Sequence, residues 1–155
     1  MDSWNQVKQI FVNISIYDML DEIFSISRVQ DEVIRLNHEQ LQSGIDSNDK
    51  VINTIGGSPY RPYTVVIKKA KGQPSNVVTL YDTGEFYNSF RVKILNNGYE
   101  IIADFTKGEE DIRDNFTSDY DFLGLTEESL TQLVYETILP RLTKMINQKL
   151  DVKLS

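Results

Sequence analysis

The chain of 155 residues contains no cysteine and a single histidine, His38. Without cysteine, disulfide frameworks, cysteine-ligated zinc or iron–sulfur centres and thiolate nucleophiles are excluded. No stretch reaches the ~20 apolar residues that a membrane-spanning helix needs, and residues 1–15 lack the basic start and apolar core of a secretory signal. We therefore expect a protein of cytosol-like conditions with no membrane partner.

Positive charge is also scarce. The 16 Lys and Arg residues are outnumbered by 23 Asp and Glu, which leaves a formal net charge of −7. Wrapping by nucleic acid needs a dense basic surface, so the composition argues against it, although an acidic surface can still face DNA as a repelling wall. Aromatic residues, by contrast, are plentiful, with eight Tyr, seven Phe and one Trp. Because Tyr and Trp are enriched in interface cores, this indicates assembly with other subunits.

The sequence predicts one α+β domain over 1–155, with N-terminal helices, a small antiparallel sheet and a long C-terminal helix. Capping-box spacing at Ser15 and Ser27 predicts two helices, and Gly44 is typical of the residue that follows a helix end. The predicted segments are 1–44 (helical), 45–76 (a long loop or arm), 77–105 (the sheet), 106–125 (an acidic loop) and 126–150 (the C-terminal helix).

The long connection at 45–76 holds three of the four prolines, which favours irregular backbone. Within it, residues 63–70 are compatible with a strand through their β-branched side chains and with a short helix through their basic end, and we favour the helix. A monomer would have difficulty ordering so long a loop. A neighbouring subunit that holds it in place would remove that difficulty.

The predicted sheet begins with a β-rich run at 77–81. Asp82 is expected to cap a helical turn at 84–89, and a β-hairpin is expected over 90–105. With Asn97 and Gly98 as the turn, the apolar side chains pair across the hairpin. The predicted partners are Asn96 and Tyr99, Ile94 and Ile101, Val92 and Ala103, Phe90 and Phe105, and, on the other face, Arg91 and Asp104.

The C-terminal helix is predicted to begin at Thr126. Pro140 interrupts it, because proline cannot donate to the carbonyl of Glu136, so we expect a bend or two shorter helices. Its predicted buried stripe consists of Leu130, Leu133, Val134, Ile138, Leu142, Met145 and Ile146.

Candidate catalytic chemistry is sparse. His38 has no evident Ser or Cys partner and no orienting acid, so we interpret it as solvated or packed at an interface rather than catalytic. The acidic loop could hold Mg²⁺ or Ca²⁺, but it lacks the glycine and the terminal glutamate of a calcium loop, and a solvated loop is favoured. Its carboxylates are Glu109, Glu110, Asp111, Asp114, Asp119 and Asp121. We expect no catalytic residue, cofactor or metal.

One basic cluster stands out near the middle of the chain, where Lys68, Lys69 and Lys71 lie close to aromatic residues. Aromatic and basic side chains in alternation can stack on bases or contact phosphates, but lysines at a helix end are also common on ordinary surfaces. We treat this region as a candidate interface. It consists of Tyr60, Arg61, Tyr63, Lys68 and Lys69.

Residues 80–90, LYDTGEFYNSF, followed by a hairpin, resemble the virion morphogenesis and tail-completion (neck) proteins of tailed bacteriophages. The positions that carry the resemblance are Asp82, Thr83, Gly84, Phe86, Ser89 and Phe90. Further motifs are NHEQL at 37–41, GID at 44–46, SPY at 58–60 and FLGLT at 122–126, which includes Gly124. In this order they resemble a variant found in phages of gut Bacteroidales, over about residues 33–150.

The resemblance implies a small α+β structural subunit without enzymatic activity. It would form a ring in the head–tail connector of the virion, after assembly in the bacterial host cytoplasm. The implied partners are further copies of the chain, neighbouring portal, connector or tail proteins, and packaged DNA that passes through the lumen without specific binding. One departure is the acidic stretch 106–124, which stands where the family often has a further strand.

Two other hypotheses stay open at this stage. A small metal-dependent phage hydrolase would use the acidic loop. A phage-encoded binding module would instead modulate a host enzyme through the aromatic surface.

Overall fold

Along the described part of the chain, helices precede and follow two small hairpins. The computed structural model describes residues 15–96, 98–116 and 120–154, with side chains described as far as residue 151. The predicted α+β class is confirmed, because the chain is 50% helical with small antiparallel hairpins. The elements are α1 (Ile16–Phe24), α2 (Ser27–Gln42), α3 (Pro62–Ala70), α4 (Glu85–Asn88), β1 (Arg91–Leu95), β2 (Gly98–Ile102), β3 (Thr106–Lys107), β4 (Glu110–Asp111), a 3₁₀ helix (Ile112–Asn115), α5 (Glu127–Gln132), a π-helical segment (Leu133–Ile138) and α6 (Leu139–Leu154).

The N-terminal helices begin and end largely as their sequence predicts. The Asp18 N–H donates to Ser15 Oγ at 3.1 Å, which confirms the cap of α1. The predicted cap at Ser27 is wrong, because Ile26 occupies the cap position of α2 and the side chain of Gln30 donates to the Phe24 carbonyl instead. Gly44 follows α2 with φ +78°, a conformation that glycine adopts without strain.

The core lies where α2 meets α1, the hairpin and the C-terminal helix. Ile16 and Ile26, near the starts of the two N-terminal helices, lie outside it and are exposed. Partly buried aromatics such as Phe24 and Phe86 surround this centre. The buried apolar residues include Met19, Ile23, Val29, Val33, Leu36, Leu41, Ile52, Val78, Phe90, Ile101, Phe122, Leu133 and Ile138.

The C-terminal helix, made of α5, the π-helical segment and α6, runs on past Pro140. The Ser129 N–H donates to Thr126 Oγ1 at 3.2 Å, which confirms the predicted start. The wider π turn just before Pro140 relieves the clash that proline causes with the preceding turn, so the alternative of two separate helices is not adopted. Leu133 and Ile138 of the predicted stripe are buried, whereas Leu130 is exposed.

The hairpin pairs two residues away from the predicted register. Leu95 lies opposite Gly98, Ile94 opposite Tyr99 and Val92 opposite Ile101. The turn therefore centres on Asn96 and residue 97 rather than on Asn97 and Gly98, and residue 97 is outside the described residues. A register shift of two residues keeps every side chain on the face that was predicted for it.

Two other predictions in this region are also corrected. Arg91 lies opposite Ile102 rather than Asp104, and its guanidinium donates to the carbonyls of Asn88 and Phe90. Residues 77–81 do not form a strand. Leu80 has φ +53°, which no strand allows, and tyrosine hydroxyls take the backbone hydrogen bonds of Thr79 in place of a neighbouring strand.

The segments predicted as loops carry more structure than expected. The favoured helix within 45–76 is confirmed as α3, and Ile52 in the same segment is buried in the core. Thr54 forms an isolated bridge with Phe116, so this segment packs on its own chain. The acidic loop contains the short β3–β4 hairpin and the 3₁₀ helix. Among the described residues, no helix is long and apolar enough to cross a membrane.

Candidate functional site

The Asn-His-Glu-Gln-Leu motif at 37–41 and the Phe-Leu-Gly-Leu-Thr motif at 122–126 meet in a buried polar network, which lies between α2 and the start of the C-terminal helix. Asn37 donates to the Phe122 carbonyl at 3.1 Å and accepts from the Gly124 N–H at 3.3 Å. Gln40 donates to the Gly124 carbonyl at 3.0 Å and accepts from the Thr126 N–H at 2.7 Å. Because both amides use a donor and an acceptor, this network fixes one position of the 122–126 turn on α2.

Asp46, in the Gly-Ile-Asp motif, extends this network. Its carboxylate is fully buried and accepts from the N–H groups of Asn48, Lys50 and Asp121, at 2.9, 2.9 and 3.2 Å. A Cβ on Gly124 would lie 3.0 Å from the Cβ of Ser47, so the two turns touch closely. The Asn-His-Glu-Gln-Leu, Gly-Ile-Asp and Phe-Leu-Gly-Leu-Thr motifs therefore build one structural junction.

The Asp-Thr-Gly motif leads into α4 and then into the hairpin. Gly84 occupies the cap position of α4 with φ +91°, a region that favours glycine. Ser89 Oγ donates to the Phe86 carbonyl at 2.6 Å and accepts from the Asp104 N–H at 2.9 Å, which ties α4 to the end of β2. Phe90 is buried, and the Phe86 ring lies 5.0 Å from those of both Phe90 and Phe105.

Asp82 does not cap α4 as predicted. Its carboxylate forms ion pairs with Lys71 and Lys107. Hydrogen bonds from Lys107 and Lys71 lower the pKa of Asp82 to about 2. Thr83, rather than Asp82, makes the side-chain contact at the start of α4, where its hydroxyl donates to Glu85 Oε2 at 3.0 Å. Asp82 therefore links three segments that are distant in sequence.

His38 is half-buried and packs against aromatic residues of its own chain. Its ring centre lies 4.4 Å from that of Tyr87 and 4.6 Å from that of Phe90. Its Nε2 is buried without a hydrogen-bond partner among the described residues. Burial lowers the pKa of His38, so the ring is neutral near pH 7.

The predicted interface residues divide between the inside and the outside of the protein. Tyr60 is buried and its hydroxyl accepts from the Thr79 N–H at 3.1 Å, while Tyr87 donates to the Thr79 carbonyl at 2.5 Å. Burial raises the pKa of both tyrosines. Lys68 also turns inward, whereas Tyr63 and Lys69 are exposed and Arg61 is held by the Ile55 carbonyl at 2.6 Å.

An open cleft of about 320 Å³ lies beside these residues, between α3, residues 78–82 and the 3₁₀ helix. Arg61 and Lys68 contribute positive charge to it, and Asp82 and Asp114 contribute negative charge. With two charges of each sign, the cleft selects neither an anion nor a cation.

The carboxylates of the acidic loop that the structure describes do not form one cluster. Arg113 Nε donates to Asp111 at 2.9 Å, and hydrogen bonds from Arg113 lower the pKa of Asp111 to about 2. The Asp121 N–H donates to Asp46 Oδ2 at 3.2 Å. Asp119 is outside the described residues. Within the described ranges, no three His, Asp or Glu side chains come close enough to hold a metal ion.

Sequence reasoning missed the junction and the outer face of α3. The signal for the junction was available, because Asn37 and Gln40 occupy the apolar positions of α2 that follow Val33 and Leu36. Polar amides in a buried stripe need specific partners, so they mark a tertiary contact. For α3, the prediction emphasised the lysines and overlooked Val66 and Ile67, which are exposed.

Comparisons with known proteins add no family. No family model, no curated protein and no solved structure matches the chain.

Proposed function

We propose that this protein is a structural subunit of the head–tail connector of a tailed bacteriophage. It forms a ring with copies of itself at the neck or tail-completion position, and it lines or seals the DNA channel. Its contribution is shape and charge rather than a reaction. In this proposal its partners are the neighbouring portal, connector or tail proteins in the virion.

The observation that carries the proposal is the position of the motif residues in the fold. Asn37, Gln40, Asp46 and Gly124 form one junction, and Gly84 to Phe90 form the corner that enters the hairpin. These residues bind one another and the backbone. The motif residues thus hold parts of the fold together and do not present a reactive group. This is what we expect of the structural subunit that the resemblance implies.

Charge and surface agree with this role. A net charge of −7 gives a ring whose wall repels DNA phosphates, so that DNA slides past instead of binding. Large apolar side chains, including Tyr17, Tyr63, Val66 and Tyr135, are exposed on the isolated chain. Exposed apolar surface of this kind marks contact sites for other proteins.

The test is removal of the gene from the phage that encodes the chain. We expect filled heads and separate tails that fail to join, and recovery of joined particles when the wild-type gene is supplied in trans. Infectious particles that form normally, with the chain absent from them by mass spectrometry, would overturn the proposal.

A further inference from the structure

Helix α3 exposes its apolar face and buries a lysine. Tyr63, Val66 and Ile67 are 77%, 65% and 37% exposed, and Ala70 is exposed as well. These four residues recur at helical spacing and form what we call the α3 stripe. Lys68, on the opposite face, is only 8% exposed.

The inward position of Lys68 is stabilised by specific contacts. Its Nζ donates to the Tyr81 carbonyl at 2.8 Å and to Gln73 Oε1 at 3.4 Å, and it lies 5.0 Å from the centre of the Tyr60 ring. A buried ammonium normally costs free energy, and the helix turned the other way would bury the apolar side chains. The arrangement is therefore consistent with a helix whose apolar stripe is covered by a partner.

A second exposed apolar surface lies on the C-terminal helix. Tyr135 and Leu139 are 68% and 39% exposed and stand four residues apart, so they are neighbours on the helix surface. Leu130, five residues before Tyr135, is exposed as well. We call these three residues the C-terminal stripe.

The surfaces that flank the two stripes differ in charge. Beside the α3 stripe, Arg61, Lys69 and Lys71 are exposed, and the sequence from 61 to 71 contains no acidic residue, although Lys71 is paired with Asp82. The sequence from 127 to 139 contains Glu127, Glu128 and Glu136 and no basic residue. In a chain of net charge −7, a basic surface is rare, and a further copy supplies the acidic surface that complements it.

The stripes also lie on different parts of the fold. Helix α3 is held against residues 73–82 through Lys68, while the C-terminal helix packs on α1 and α2. Each copy can thus present one stripe to each of two neighbours. A contact between two different surfaces is heterologous, and repetition of such a contact closes into a ring when the rotation allows.

We propose that the α3 stripe of one copy docks on the C-terminal stripe of the next copy. This inference rests on the ring proposed above and assigns its subunit interface. Tyr63 and Tyr135 supply the largest apolar contacts, about 150–250 Å² for each aromatic side chain. The charged residues that flank the stripes would form the rim of an interface that needs ~800 Å² on each partner.

The absence of cysteine allows a direct test in the full chain. Val66→Cys and Tyr135→Cys proteins are mixed and treated with a short bis-maleimide. We expect mixed dimers far in excess of like pairs, and a ladder of oligomers from the chain that carries both substitutions. Val51→Cys, at a residue that is equally exposed but outside both stripes, is the control and should cross-link with neither. The proposed interface would be overturned if dimers of two identical variants exceeded the mixed dimers, or if the mixed pair cross-linked no more than the Val51→Cys control.

A second test uses charge in place of cross-linking. Val66→Glu and Tyr135→Glu each block one stripe, so each protein alone should sediment as a monomer. Their mixture keeps one intact pair of surfaces and should form 1:1 dimers and nothing larger. If both variants assemble as the wild type does, the interface is wrong. The ring function itself is judged separately, by the presence of the wild-type chain in particles.

Discussion

Truncation of Gln40 tests whether the buried amide network holds the fold together. Gln40→Ala removes the donor to the Gly124 carbonyl and the acceptor of the Thr126 N–H, at 3.0 and 2.7 Å. Gln40 is 4% exposed, so water does not readily replace either contact. Each buried polar group left without a partner costs about 1–3 kcal/mol, and we expect a loss of roughly 2–5 kcal/mol in the free energy of unfolding.

The matched control is Gln42→Ala, the same substitution at an exposed position of the same helix. It should change stability by less than about 0.5 kcal/mol. Urea denaturation followed by far-ultraviolet circular dichroism, at one fixed protein concentration, measures both. In thermal unfolding the Gln40 variant should melt roughly 4–20 °C lower, given about 2–4 °C for each kcal/mol in a chain of this size. Equal effects of the two substitutions would refute the reasoning.

Three further predictions concern pH and close packing. Burial lowers the pKa of His38 in the folded chain, so its contribution to the free energy of unfolding is fully present above about pH 6.5 and is lost as the pH falls toward the lowered pKa. Denaturation at a series of pH values should show this decrease in stability, and His38→Phe should abolish it. The same decrease in the His38→Phe protein would contradict the assignment. The carboxyl of Asp82 should titrate near pH 2 by NMR. Because its side chain is 37% exposed, its ion pairs contribute less than about 1 kcal/mol to the free energy of unfolding, and this contribution is present above pH 4 and lost as the pH falls to 2. Titration near pH 4 would rule out the two ion pairs. Gly124→Ala should destabilise the chain by about 1–3 kcal/mol, because the new methyl group would lie 3.0 Å from the Cβ of Ser47. Adding Ser47→Gly should recover much of the lost stability in the same assay. If stability is not recovered, contact with Ser47 is not the cause of the loss.

The elements that the sequence predicts well are those whose signals are local. Ser15, Gly44 and Thr126 act through neighbours three or four residues away, so each helix boundary follows from a short stretch of chain. Pro140 correctly indicates an irregularity in the C-terminal helix, but the sequence does not show which form it takes. The chain accommodates the proline with a π turn.

The predictions that failed depended on long-range contacts. Residues 77–81 have the composition of a strand, but the hydroxyls of Tyr60 and Tyr87 take the hydrogen bonds of Thr79. The hairpin register was ambiguous by two residues, since such a shift leaves the same side chains on each face. The inward position of the Lys68 side chain was not predicted, because its partner, the Tyr81 carbonyl, is 13 residues away.

A reconstruction of the phage particle tests the central claim most directly. The account predicts a closed ring of copies of this chain around the DNA channel, between head and tail, with α3 of each copy against the C-terminal helix of the next. Mature particles whose head–tail connector is fully built from other proteins, with no density for this chain, would contradict it.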